Sequence, residues 1–579
     1  MIRRLSWLCL ASIAAATLVR APLLQADEPA TASAEVEERA TRRGRGVEDF
    51  GIPHVAFINA QIEAGWEDAG IRPSRPATDG EWCRRVYLDV VGRIPSLDEL
   101  QAFEKDSSST KRAELVDRLL SDDYVDEYAR HWTDVWTTIL IGRDVDNDLV
   151  DRPGMRQYLR RAFSKNIPYD RFMEELVTAA GVNRNADGVD DFDGAANFLS
   201  GKLDEGGVQA AAKTAQIFLG IQVQCTQCHD HPFNNHKQNQ FWEFNAFFRQ
   251  ARALRRFEGS RDVQSVELVD EDFGGERGGN PDEAEIFYER RNGLMKVAYP
   301  VFVDGTEISR SGFLPGEFGN GQQFGVNRRA ELARLMRESP LLPLAIVNRM
   351  WGQLLGYGFT KPVDDLGDHN PPSHPELLEG LAQRFREQSF DLKELIRWIV
   401  LSEPYSLSSR FTSANAIDDP SLGETPLFSR FYMRQMQAEQ LYESLLTATK
   451  ADRAGGEEAA TMKDRWMSQF IIAFGTDEGD DSTTFNGSIP QVLMMFNGDL
   501  TKKAVSVDKG GFLDEVAKDG TSNSAKINAL YMAALARKPV SREIKTANAI
   551  MIARKGDAVG ALQDIWWAVL NSNEFIINH

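Results

Sequence analysis

Apolar residues recur every three or four positions along most of the chain, the spacing of helices that bury one face. Arg84 to Val91 reads as one such helix. It breaks at Gly92-Arg93-Ile94-Pro95-Ser96, and the next helix opens with Asp98 and Glu99, where the helix dipole favours negative charge. Lys111 to Leu120 continues the pattern. Tyr124, Tyr128, Trp132 and Trp136 then follow at four-residue spacing, a stripe that predicts core packing. Val208, Ala211, Ala212, Ala215, Phe218 and Leu219 mark a helix face that stops at Gly220, and Phe241, Phe244, Phe247 and Phe248 mark another. Between 252 and 325 the period fails: acidic and glycine-rich stretches surround Val301 to Ile308, which alternates about a turn and predicts a short hairpin. Helical spacing returns at Arg328 and persists to the C-terminus. The pattern predicts a mainly α fold, with two helical domains at 55–251 and 326–579 joined by an irregular, partly β junction at 252–325. One echo crosses these boundaries. Tyr87, Arg93, Pro95 and Glu99 recur at the same spacing as Tyr531, Arg537, Pro539 and Glu543, which suggests a repeated helix, proline turn, helix unit.

The amino-terminal pattern is different. Arg3 and Arg4 precede an apolar run from Leu5 through Val19 and a stretch ending at Ala26, the layout of a secretory signal peptide over 1–26. Residues 27–54 lack a stable period and read as a disordered linker. No later stretch is long and apolar enough to span a bilayer, so the mature chain is expected to have no transmembrane segment and to be secreted or held in the periplasm or cell envelope. A net charge of -20 over 579 residues would repel phosphate backbones and anionic lipid, which argues against nucleic-acid binding.

Chemistry concentrates in two places. Cys9 falls in the signal and Cys83 in an apolar helix, where it should behave as a small hydrophobe; Cys225 and Cys228 form the only cysteine motif, Cys-Thr-Gln-Cys-His, ending in His229. This is the attachment signature of c-type haem, with both thiols as thioether sites and His229 as axial ligand. The second axial ligand is not identifiable: His231 is close in sequence, and Met295, His369 or His374 would need the fold to deliver them. Cys225, Cys228, His231 and His236 also have zinc spacing, with Asp230 placed to orient an imidazole such as His229 or His231. A Cys225 to Cys228 disulfide, stapling a non-catalytic envelope scaffold, is a third reading. The second place runs from Asp364 to His374. There Asp365, Asp368, His369 and His374 could hold a divalent cation or supply acid and base groups to a hydrolase acting on complex polysaccharide. The simpler reading is a loop in which Ser373 caps the helix that begins at Pro375. A third segment, the acidic run from Asp187 to Gly194 with Asn183 and Asn185 ahead of it, places oxygen ligands at alternate positions as a calcium loop does, but Gly194 stands where a bidentate Glu is required, so calcium is not favoured. There is no nucleophile elbow, zincin, Walker or dinucleotide motif, and no reaction is legible.

Several stretches together resemble a known family. Trp82-x-Arg84-Arg85-x-Tyr87-Leu88-Asp89, Gly92-Arg93-Ile94-Pro95, Pro168-Tyr169-Asp170-Arg171-Phe172 and Phe218 through Phe233 are similar to the planctomycete cytochrome-associated domain of unknown function fifteen forty-nine. Val347 through Trp351, Gly356-Tyr357-Gly358, Asp364 through Gly367, Pro372 through Leu378 and Asn571 through Phe575 are similar to its usual partner, numbered fifteen fifty-three. The resemblance implies an exported protein of two helical domains with no established activity. Its cytochrome association favours haem c at Cys225, Cys228 and His229, for electron transfer or redox sensing with a redox protein or an envelope complex as partner.

Overall fold

In the computed structural model the described residues are 48–143, 147–185, 191–231, 234–259, 262–270, 286–308, 326–456, 461–475, 483 and 488–579. The signal segment, most of the linker and Asp187 to Asp190 lie outside them. Helices dominate, and the first described one, Pro53–Asp68, carries Pro at its first turn, where no amide partner is lost. Asp79–Val91 starts with a capping box between Thr78 and Glu81 and stops at Gly92, whose φ of 76° is left-handed. Leu97–Lys105 starts the same way, with Ser96 and Glu99. Of the stripe, Tyr128, Trp132 and Trp136 of Val125–Ile141 are buried as expected, Tyr124 sits half-buried just before the helix and donates its hydroxyl to Glu99, and Trp136 meets Phe172 edge-on at 5.1 Å.

The larger core runs from Val55 through Phe248 and on to Tyr432, so helices on both sides of the junction share it. The smaller core gathers residues from Met436 to Ile576 around Leu88 and Ile94. Asp89 ties the two halves together: it accepts from the Tyr405 hydroxyl at 2.7 Å and the Asn578 amide at 2.8 Å, and pairs with the Arg434 guanidinium. Arg84 and Arg85, its motif neighbours, are buried and donate to backbone carbonyls of Phe575 and Leu407. These arginines and this aspartate are therefore joints of the fold.

The repeated pattern is a repeated device. Arg93 forks onto Glu99 at 2.8 and 2.9 Å, binds Glu127 at 2.5 Å and lies over the Tyr87 ring. Arg537 forks onto Glu543 at 2.9 and 2.9 Å, binds Glu574 at 2.5 Å and lies over Tyr531. In each copy the glutamate also accepts the backbone N–H that opens the following helix.

The junction holds more strand than the alternation implied. Ala251–Glu258 and Asp262–Asp270 pair antiparallel, with Gly181–Val182 added at the other edge of Asp262–Asp270. A separate hairpin pairs Ile286–Glu289 with Met295–Ala298. The expected Val301 to Ile308 turn closes with a single bridge, Val301 to Glu307. No helix among the described residues is long and apolar enough to cross a membrane.

Candidate functional site

The helix Val208–Thr214 continues as one π turn, Ala215–Leu219, and ends at Gly220, so its face and its stop are as the apolar spacing predicts. Gly220 has φ 64°, and an added Cβ would lie 2.9 Å from Leu366 and 3.1 Å from Ala345. Only glycine fits there, because the Asp364 to His374 loop presses on it: Leu366 N–H donates to the Gly220 carbonyl at 2.6 Å. Asp364, buried, accepts from the Gln216 amide at 2.7 Å and the Gln222 amide at 2.9 Å. The two chemically pointed segments are thus clamped together immediately before the cysteine motif, by a bond between Gln222 and Asp364, 142 residues apart.

The motif itself is a short 3-10 turn, Gln224–Gln227. Cys225 lies within the turn and Cys228 is the residue that closes it. Thr226 is buried and donates its hydroxyl to Val223, while both cysteines are exposed free thiols, not joined to one another. The Gln227 carbonyl is held from behind by the Trp242 indole N–H at 3.1 Å and the Gln238 amide at 3.2 Å. His229 is exposed, and its Nδ1 donates to the Asp230 carbonyl at 2.7 Å, which leaves Nε2 pointing elsewhere. Asp230 accepts from Gln238 N–H at 3.0 Å, and that hydrogen bond, with Lys237 beside it, lowers its carboxyl pKa. Cys83, by contrast, is wholly buried in its helix, and burial pushes its thiol pKa up.

Behind the turn, His231 and His236 meet His369. The His231 and His369 rings lie 6.0 Å apart, and His236 and His369 line a cavity of about 460 Å³ with Ile221, Asp304, Leu341 and Asp368. Burial first, and the neighbouring imidazoles second, lower the pKa of His231 and His236, so both favour the neutral ring. The hydrogen bonds fix what these rings can do. His231 Nδ1 accepts Asn234 N–H at 3.1 Å, which puts the ring proton on Nε2. His369 Nε2 donates to Asp365 at 3.0 Å, and its Nδ1 is buried under Gly367. His369 thus has its proton directed to a carboxylate, as a ligating imidazole does, but its bare Nδ1 is buried under Gly367. Among the described residues no three His, Cys, Asp or Glu side chains form a set able to hold a metal ion.

His374 does not join this cluster. It is buried between Phe359 and Phe428, beside Gly65, and burial lowers its pKa to about 4. It, and not Ser373, occupies the N-cap position of Pro375–Glu387, and its Nδ1 lies 3.0 Å from the Ser373 hydroxyl. Ser373 N–H is committed to Phe359, which turns the serine away from the helix end. Asp368 is exposed at the cavity rim. In the acidic loop, Asn183 is buried and spends its amide on Leu149 and Asn197 and its oxygen on Val266 N–H, so it faces the core and not an ion. Gln222 lies in a stretch that the family resemblance already singles out, while Gln216, Asn234 and Gln238, which also position the site, carry no pattern in the sequence that marks them.

Residues 57–253 match PSCyt2, described as a protein of unknown function (DUF1549), and residues 328–484 match PSD1, described as a protein of unknown function (DUF1553). No curated protein and no solved structure matches the chain. The first match carries the cysteine turn and the second the loop clamped against it, and in this order they place the chain in the family that joins a PSCyt2 domain to a PSD1 domain.

Proposed function

We propose that this is an exported haem protein that holds c-type haem at Cys225 and Cys228, with His229 as an axial ligand, for electron transfer or redox sensing. One observation carries the reading: a pinned turn holds two free, exposed thiols three residues apart, next to an imidazole whose Nδ1 is already given to a carbonyl. That hydrogen bond keeps the proton on Nδ1 and leaves Nε2 the basic nitrogen, as an iron ligand requires. Attachment adds each S–H across a vinyl group, forming a C–S bond with the hydrogen on the adjacent carbon, so no external oxidant is consumed. Once bound, the haem would supply a one-electron couple. The chain's own part is to hold the turn through Gln238, Trp242 and Thr226. The apolar amino-terminal segment supports export to a compartment where such attachment takes place. The zinc hydrolase reading has less support, since the bare Nδ1 of His369 is buried under Gly367 and Nδ1 of His231 accepts Asn234 N–H.

The test is to express the chain with a cytochrome c maturation system and record the visible spectrum after denaturation. A Soret band that persists in the wild type and is lost in Cys225→Ser/Cys228→Ser supports the proposal. A colourless product with stoichiometric zinc overturns it.

A further inference from the structure

An antiparallel hairpin at a protein surface normally turns its polar side to water. The hairpin of Ile286–Glu289 and Met295–Ala298 turns apolar side chains both ways. Its inner face packs Ile286, Tyr288 and Ala298 against Trp242, with Tyr288 stacked on the indole at 5.8 Å. The Gln238 side-chain amide donates to the Glu289 carbonyl at 3.0 Å, so the hairpin stands on a fixed base. The outer face carries the cross-strand pair Phe287 and Val297 and, as the next pair on that face, Glu289 opposite Met295. Phe287 is 57% exposed, Met295 54% and Val297 39%, and Leu294 beside them is 50% exposed. Large apolar side chains gathered this way mark a surface that something covers.

The charges on the hairpin narrow what that is. Arg290 and Arg291 stand in its turn and Lys296 on its second strand, against a single carboxylate, Glu289. Arg291 and Lys296 are exposed and Arg290 is half-buried, and none of the three is paired with a carboxylate among the described residues. Elsewhere the two features do not coincide. Leu254 and Phe257 are exposed too, but Arg255 and Arg256 between them face Asp204 and Glu267. Ile489, Val492, Leu493 and Phe496 form another exposed apolar face, on a helix, Ile489–Asn497, without a basic residue.

The net charge of -20 would repel an anionic surface as a whole, but salt limits the reach of an exposed charge to about 8 Å, so an approaching surface meets the hairpin's own cations. A protein partner would have to offer a pocket to each protruding side chain. A bilayer takes them into its acyl boundary without one, while arginine and lysine alongside stay with the phosphates. We infer that the outer face of this hairpin docks on an anionic phospholipid bilayer, with Phe287, Leu294, Met295 and Val297 entering the interface and Arg290, Arg291 and Lys296 holding its phosphates. This holds whatever Cys225 and Cys228 carry.

The experiment is co-sedimentation of the full chain with vesicles of phosphatidylcholine alone and of equal parts phosphatidylcholine and phosphatidylglycerol. Every protein compared keeps the same amino-terminal segment, so differences among them read the hairpin. Wild type is expected to bind the anionic vesicles more tightly than the neutral ones, and less tightly as salt rises. Arg291→Gln/Lys296→Gln weakens binding to the anionic vesicles about 25-fold, about fivefold for each cation removed. Phe287→Ser/Leu294→Ser weakens it about tenfold or more. Ile489→Ser/Leu493→Ser, on the helix without cations, keeps the wild-type value. All these positions are exposed, so each variant is expected to fold, and circular dichroism checks it. A wild type that does not bind the anionic vesicles, or hairpin variants that bind them as wild type does, overturns the proposal. So does a chain that ignores vesicles and instead self-associates, or binds polyglutamate, through the same residues, because the face then belongs to a protein.

Discussion

The cysteine turn and the loop clamped behind it contain the same kinds of groups and treat them in opposite ways. On the turn, Cys225 and Cys228 are free and in solvent, and His229 spends only Nδ1. In the loop, Asp364, Asp365, His369 and His374 are each bonded within the protein, to two glutamines, to one another or to Ser373. Chemical residue types alone do not mark a reactive site. What separates the two is whether hydrogen bonding leaves a lone pair or a thiol facing outward.

The strongest way to break this contrast is to exchange each set in turn. Replacing both cysteines by serine is expected to abolish covalent pigment, while His231→Ala, His236→Ala and His369→Ala, made singly, keep the denatured visible spectrum of wild type. Pigment lost in the latter set would erase the distinction. The next effect is on stability, where the loop imposes a pH dependence. His374 has its pKa lowered to about 4 by burial, against about 6.5 in the unfolded chain, so the unfolded state binds the extra proton first. Its contribution, about 3 kcal/mol, is complete above pH 6.5 and is lost as pH falls from 6.5 to 4. His374→Gln should flatten that part of the curve. Asp364→Ala strips two part-buried hydrogen bonds and strands Gln216 and Gln222, for about 2 kcal/mol by denaturant unfolding. The last effect, of similar size, is at Gly220. Adding a methyl at φ 64° against Leu366 should cost about 2 kcal/mol in Gly220→Ala, read as a lowered unfolding midpoint.

The fold was legible where one face of an element meets one core. The Tyr128 to Trp136 stripe, the helix ending at Gly220 and the phenylalanine face from 241 all follow from apolar spacing. The echo of Arg93 and Arg537 was legible as spacing, yet Glu127 and Glu574, which complete each grip, come from more distant positions that spacing does not connect. The strand pair from Ala251 to Asp270 was hidden because Val266 and Leu268 are buried while Leu254 to Phe257 are exposed, which blurs alternation. At the site, both chemical segments could be read, but not their contact. Asp364 meets Gln222 across 142 residues, and no local pattern encodes such a pairing. The tautomers were equally hidden, since the Asn234 amide that sets His231 is a matter of loop conformation.

The most direct test of the account is the intact mass of the chain after expression with a cytochrome c maturation system, measured under denaturing conditions beside a titration of free thiols. Covalent attachment predicts a mass raised by one haem, with Cys225 and Cys228 no longer titratable and Cys83 the one thiol left in the mature chain. An unmodified mass with the thiols of 225 and 228 still free, or bonded to each other, would contradict it.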